Sequence, residues 1–121
     1  MFRTLLLALP LVLVAASAND ADGVDCAKAI TQTDMNICAG NRSEAADKKL
    51  NDVYRKVSAD EEGKDKLKAA QRAWIVFRDA ECTFETAESE GGSIHPLEYS
   101  MCLTALTKAR TKQLGDYLGR P

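Results

Sequence analysis

The stretch Gln71-Arg72-Ala73-Trp74-Ile75-Val76-Phe77-Arg78-Asp79-Ala80-Glu81-Cys82 poses a problem that the rest of the chain has to solve. It carries the only tryptophan, one of four cysteines and two arginines within an apolar run. At about 100° per residue, Leu67, Ala70, Trp74, Phe77 and Arg78 fall on one helical face. Arg78 thus lies within a stripe that the helix is expected to bury. A buried guanidinium needs a partner, and another part of the chain must supply it.

The opening residues fix the expected compartment. Met1-Phe2-Arg3, an apolar run from Leu5 to Ala16 and the small residues Ala16-Ser17-Ala18 follow the order of a secretory signal peptide. The run is too short to span a bilayer comfortably. Cleavage is expected after Ala18, leaving one domain over residues 19–121, periplasmic or secreted. No cysteine stands at the new N-terminus to take a lipid, so no membrane attachment is expected after cleavage.

In an exported chain, four cysteines point to two disulfides, and Cys26, Cys38, Cys82 and Cys102 admit three pairings. No Cys-x-x-Cys occurs, which argues against a thiol oxidoreductase and against a zinc ribbon. A formal net charge of −2 offers no electrostatic footprint for nucleic acid or an anionic membrane.

The periodicity is helical throughout. A turn of helix is expected at Cys26. Thr33 then reads as an N-cap with Asp34 in the first turn, opening a helix to about Ser58 along Met35, Cys38, Ala39, Ala46, Leu50, Val53 and Val57. Gly40-Asn41 weakens it by about 1 kcal/mol. A restart at Ser43 is the alternative, but the apolar phase is the same on both sides, which favours continuity. Asp60 to Gly63 forms a turn, and a second helix is expected from Lys64 to about Glu88. Gly91-Gly92 breaks it, and His95-Pro96 suits the start of a third. Tyr99, Cys102, Leu106, Ala109, Arg110, Gln113 and Tyr117 are its expected inward face, ending at Gly119. The fold class is therefore all-α: a small antiparallel three-helix bundle with a short N-terminal helical segment and two disulfides.

Folding these helices up and down brings Cys38, Cys82 and Cys102 to one level. Cys82 can then reach either Cys38 or Cys102. Pairing Cys26 with Cys38 and Cys82 with Cys102 is preferred, because each bridge joins neighbouring segments and leaves no long strap. Eight residues further along each helix come Ala46-Asp47, Trp74 and Arg110. The level argument predicts a structural ion pair between Asp47 and Arg110 beside Trp74, with Gln71 and Asn51 as hydrogen-bonding support.

Several pieces now line up with a known family. Cys26-Ala27-Lys28-Ala29, Thr33-Asp34-Met35-Asn36-Ile37-Cys38, Asp47, Leu50-Asn51 and Tyr54 come first in the chain. Gln71-Arg72-Ala73-Trp74, Arg78-Asp79-Ala80-Glu81-Cys82, Gly91-Gly92-Ser93, Cys102-Leu103, Leu106-Thr107 and Arg110 follow. In this order and combination they resemble the LprI-like lysozyme-inhibitor family of small exported bacterial proteins, over nearly all of residues 19–121. The resemblance implies a small helical envelope or secreted domain that inhibits lysozyme of the animal type by binding it.

Enzymatic readings find little to stand on, and no catalytic, cofactor or metal residue is assigned. His95 is the only histidine, set in a loop, and a metal ligand or general base needs convergent partners. No nucleophile motif is present. Glu81, Glu85 and Glu88 read as a solvated helix face. Their better use is recognition: carboxylates near a contact loop speed and orient docking onto a cationic enzyme. The expected partner contact comprises Glu85, Glu88, Glu90, Gly91, Gly92, Ser93 and His95. The alternative is an immunity-type module that neutralises another exported hydrolase.

Overall fold

The computed structural model describes residues 23–59 and 62–120. The expected signal segment and the Asp60-Glu61 part of the first turn lie outside these residues. Three helices account for most of the chain: α1 (Gln32–Val57), α2 (Lys64–Glu85) and α3 (His95–Leu118). Short 3-10 turns at Cys26–Lys28 and Ala87–Ser89 precede α1 and follow α2. No strand occurs among the described residues, so the all-α expectation holds. None of the described helices is long and apolar enough to cross a membrane.

Local chemistry explains the ends. Thr31, not Thr33, caps α1: its hydroxyl accepts from the Asp34 amide at 3.1 Å, satisfying one of the free N-H groups of the first turn. Asp34 adds negative charge where the helix dipole favours it. The helix runs unbroken through Gly40-Asn41, because packing of Cys38, Ala39, Ser43, Ala46 and Leu50 holds both sides. Gly63 supplies a left-handed φ of 80° in front of α2. That helix stops at Glu85, short of the expected Glu88, as Thr86 turns its hydroxyl back onto the Cys82 carbonyl at 2.7 Å. Pro96 fits the first turn of α3, where no amide is required.

Backbone contacts run mainly between α1 and α3, with a smaller set between α2 and α3. The C-terminal residues of α1 (Lys56, Val57) and α3 (Tyr117, Leu118) share a recess with Leu67 near the start of α2. Thus α1 and α3 run parallel, with α2 antiparallel to both. At the opposite end the Asn36 amide donates to the Ser93 carbonyl at 2.9 Å.

This unequal packing moves the core away from the expected faces. On α3 the most buried residues are Leu114, Thr107 and Cys102, joined by Arg110 and Thr111. Ala109 and Gln113, expected inside, are exposed. On α2 only Gln71 and Cys82 are fully buried, and Leu67, Trp74 and Arg78 are half-buried. Ala70 is exposed and Phe77 is 55 % exposed, contrary to the expected stripe. The cause is geometric. A helix whose backbone comes close to one neighbour only buries a narrow line, here Leu67, Gln71, Trp74, Arg78 and Cys82, whereas a helix nested between two buries a broad face. Val76 and Phe84 therefore also face solvent.

Two disulfides tie the segments together. Cys26 is bonded to Cys38, and Cys82 to Cys102, each with Cα atoms 5.6 Å apart. This is the pairing of neighbouring segments preferred from the sequence.

Candidate functional site

Arg78 joins all three helices. From α2 its Nη1 donates to the Asp47 carboxylate of α1 at 2.9 Å and to the Thr107 hydroxyl of α3 at 3.3 Å. Its Nε donates to Asp79 at 2.9 Å, and its guanidinium lies 5.3 Å from the centre of the Trp74 ring. The Arg78 side chain is 12 % exposed, while Asp47 is 46 % exposed. The expected pair of Asp47 with Arg110 is thus replaced by one with Arg78. Trp74 and Arg78 are four residues apart on the contact line of α2, so the guanidinium reaches Asp47 first. Arg110 instead donates to Gln71 at 3.0 Å and to Gln113 at 2.5 Å. Gln71 is in place as expected; Asn51 is exposed on α1, and its side chain makes no hydrogen bond among the described residues. Asp79 and Thr107 were not anticipated. Asp79 was hidden because a neighbour in sequence does not share a helical face, and Thr107 because the apolar spacing put Leu106 and Ala109 on the inward face of α3 in its place.

The disulfide-tied end carries a different surface. An open groove of about 710 Å³ is lined by Glu85, Thr86, Glu88, Ser89 and by Glu98, Met101, Cys102, Ala105 and Leu106 of α3. Glu85 and Glu88 of the expected contact set line it, and Glu98 joins them. One Glu85 carboxylate oxygen approaches the Cys102 sulfur to 3.0 Å; a disulfide sulfur has no proton, so this is a close approach and not a hydrogen bond. Met101 in this lining is 59 % exposed. Glu90, Gly91, Gly92 and Ser93 are exposed but lie outside the lining.

The loop bearing them is well braced. Gly91 takes φ 80°, Gly92 donates to the Ser89 carbonyl at 2.8 Å, and His95 donates through its backbone to Gly92 at 3.2 Å. The Ser89 hydroxyl donates to the Thr86 carbonyl at 3.1 Å and sits 3.2 Å from His95 Nδ1. His95 is half-buried against Tyr99, with ring centres 5.9 Å apart. Ser89 itself lines the groove, but its hydroxyl proton is spent on the Thr86 carbonyl and its contact with His95 braces the loop. Among the described residues no group of three His, Cys, Asp or Glu side chains is arranged to hold a metal ion.

Comparison with known proteins gives this architecture a family. The family model described as "Lysozyme inhibitor LprI" matches residues 25–114. The chain belongs to the LprI family. The matched span contains all four cysteines, the Arg78 bridge and the acidic groove, and ends at Leu114, whose side chain is fully buried. Among LprI-like relatives, an uncharacterized protein of Rhizobium meliloti (strain 1021) is 41 % identical, with 78 % of each chain covered. No solved structure matches.

Proposed function

We propose that this chain is an exported binding protein that inhibits lysozyme, docking through the acidic groove at its disulfide-tied end. The family description supplies the activity. One observation carries the choice of surface: Glu85, Glu88 and Glu98 line an open groove together with the exposed apolar side chain of Met101. A thioether anchor among carboxylates suits a docking surface for a cationic protein, the apolar atoms supplying burial and the charges orientation. Two disulfides suit an oxidising compartment, in keeping with removal of residues 1–18 as a signal. The Asp47–Arg78 pair is assigned to architecture, because it spends its hydrogen bonds within the bundle. The family description and the absorbed polar contacts support binding over catalysis.

The test is a cell-wall lysis assay with purified protein against several lysozyme types. Inhibition of at least one type is expected. Glu85→Lys with Glu88→Lys should weaken it about tenfold or more and flatten its salt dependence. Full inhibition by that variant removes the acidic groove as the contact; no inhibition by the unaltered protein removes the activity.

A further inference from the structure

The face of the α1–α3 pair turned away from α2 carries a second groove, of about 680 Å³. It is lined by Arg42, Ala45, Ala46, Lys49 and Val53 of α1 and by Lys108, Thr111 and Lys112 of α3, with nothing from α2. No acidic side chain lines it, although acidic residues outnumber basic ones in the chain, 18 to 16. Arg42, Lys49 and Lys108 are exposed and make no ion pair among the described residues. Lys112 meets Asp116 at 3.4 Å across a solvated turn, a contact worth little. The parallel run of α1 and α3 sets Arg42 near the level of Lys108, and Lys49 near that of Lys112. Two cationic pairs thus straddle the seam about 8 Å apart along the helix axes.

Between them the floor is apolar. Ala45, Ala46 and Val53 provide it, and the Thr111 hydroxyl is already committed to the Thr107 carbonyl at 2.8 Å. A bare anion would find no donor at the bottom of the groove, only at its rims. A fourth helix would find too few apolar side chains to hold it. A single alkyl chain fits the seam, and lysine and arginine stems can lie along such a chain while their charged ends reach its head. From this charge complementarity we infer that the groove binds a single-chain anionic amphiphile, one alkyl chain bearing a phosphate, sulfate or carboxylate head. The site is separate from the acidic groove and does not depend on lysozyme binding.

Titration calorimetry and amide chemical shifts with dodecyl phosphate, below its micellar concentration, test this on the purified protein. Saturable one-to-one binding is expected, with shifts confined to residues 42–53 and 108–112. Dodecyltrimethylammonium and inorganic phosphate should each bind about tenfold more weakly or worse. Lys49→Glu with Lys108→Glu should weaken dodecyl phosphate by a similar factor. Lys49→Gln with Lys108→Gln should do so less steeply, and it serves as the readout if charge reversal disturbs folding. Equal affinity for the cationic amphiphile would reduce the site to a greasy surface, and equal affinity for phosphate would remove the chain. Shifts on Val76, Phe77 and Phe84, tighter binding of an acidic helical peptide, or full affinity in folded charge variants would each overturn the assignment.

Discussion

Arg78 shows how one side chain can do the work of an interface. It is the point where α2 reaches both neighbours, through Asp47 and Thr107. Removing its acidic partner leaves a largely buried cation, yet Asp79 remains at 2.9 Å and Asp47 is itself half-exposed. The cost of Asp47→Ala should therefore stay at about 1–2 kcal/mol, below the loss typical of a fully buried pair. A double-mutant cycle in urea should find coupling of about 1 kcal/mol between Asp47 and Arg78, and coupling within about 0.5 kcal/mol of zero between Asp47 and Arg110. The reverse ranking would restore the pairing expected from helix levels. The sequence shows that an arginine inside an apolar stripe must meet an acid, and it places Asp47 at the right height. Which of Arg78 and Arg110 it meets depends on the rotation of α2 about its own axis, and hydrophobic spacing alone leaves that angle free by tens of degrees.

At the scale of elements, α1 and α3 are bound by close backbone approach, and α2 by a narrow line of side chains plus one disulfide. Small residues make the closeness possible: Ala39, Ser43, Ala46, Thr107 and Thr111 are buried along the seam. Helix continuity across Gly40 and the start of α3 at His95 were legible because phase and proline position survive any packing arrangement. The α2 face was not, since Ala70 and Phe77 suit burial equally well and only the lack of a second close backbone neighbour leaves them outside. Both helix-interior glycines of the seam pair have open space where a Cβ would stand. Gly40→Ala and Gly115→Ala should each stabilise the fold by about 0.5–1 kcal/mol, read as a higher denaturant midpoint at unchanged slope. A lower midpoint for either would mean that the glycine serves a contact outside this chain.

The molecule as a whole should come apart in an order set by this asymmetry. The Cys82–Cys102 bridge spans 20 residues, and a closed loop of that size contributes about 3 kcal/mol. Its loss falls on the least-buried helix. Cys82→Ser with Cys102→Ser is expected to speed amide hydrogen exchange through α2 well before α1 and α3 are affected. Equal acceleration in all three helices would show that the bundle opens as one unit. Height along the bundle, which follows from residue count, left Cys82 two partners, and the preference for joining neighbouring segments without a long strap picked the one observed. Surface charge was legible only in part: Glu85 and Glu88 were picked out, whereas Glu98 needed the fold to bring it across from α3.

The Cys26–Cys38 bond clasps the leading segment against the first turns of α1, at the end of the bundle that also holds the Cys82–Cys102 bridge. Anything fused ahead of Cys26 would leave the molecule at the end that holds the acidic groove and crowd the approach of a large visitor. Gly119 closes the helix about 24 Å away, so a handle for surface immobilisation belongs at the trailing terminus, where it leaves the approach clear.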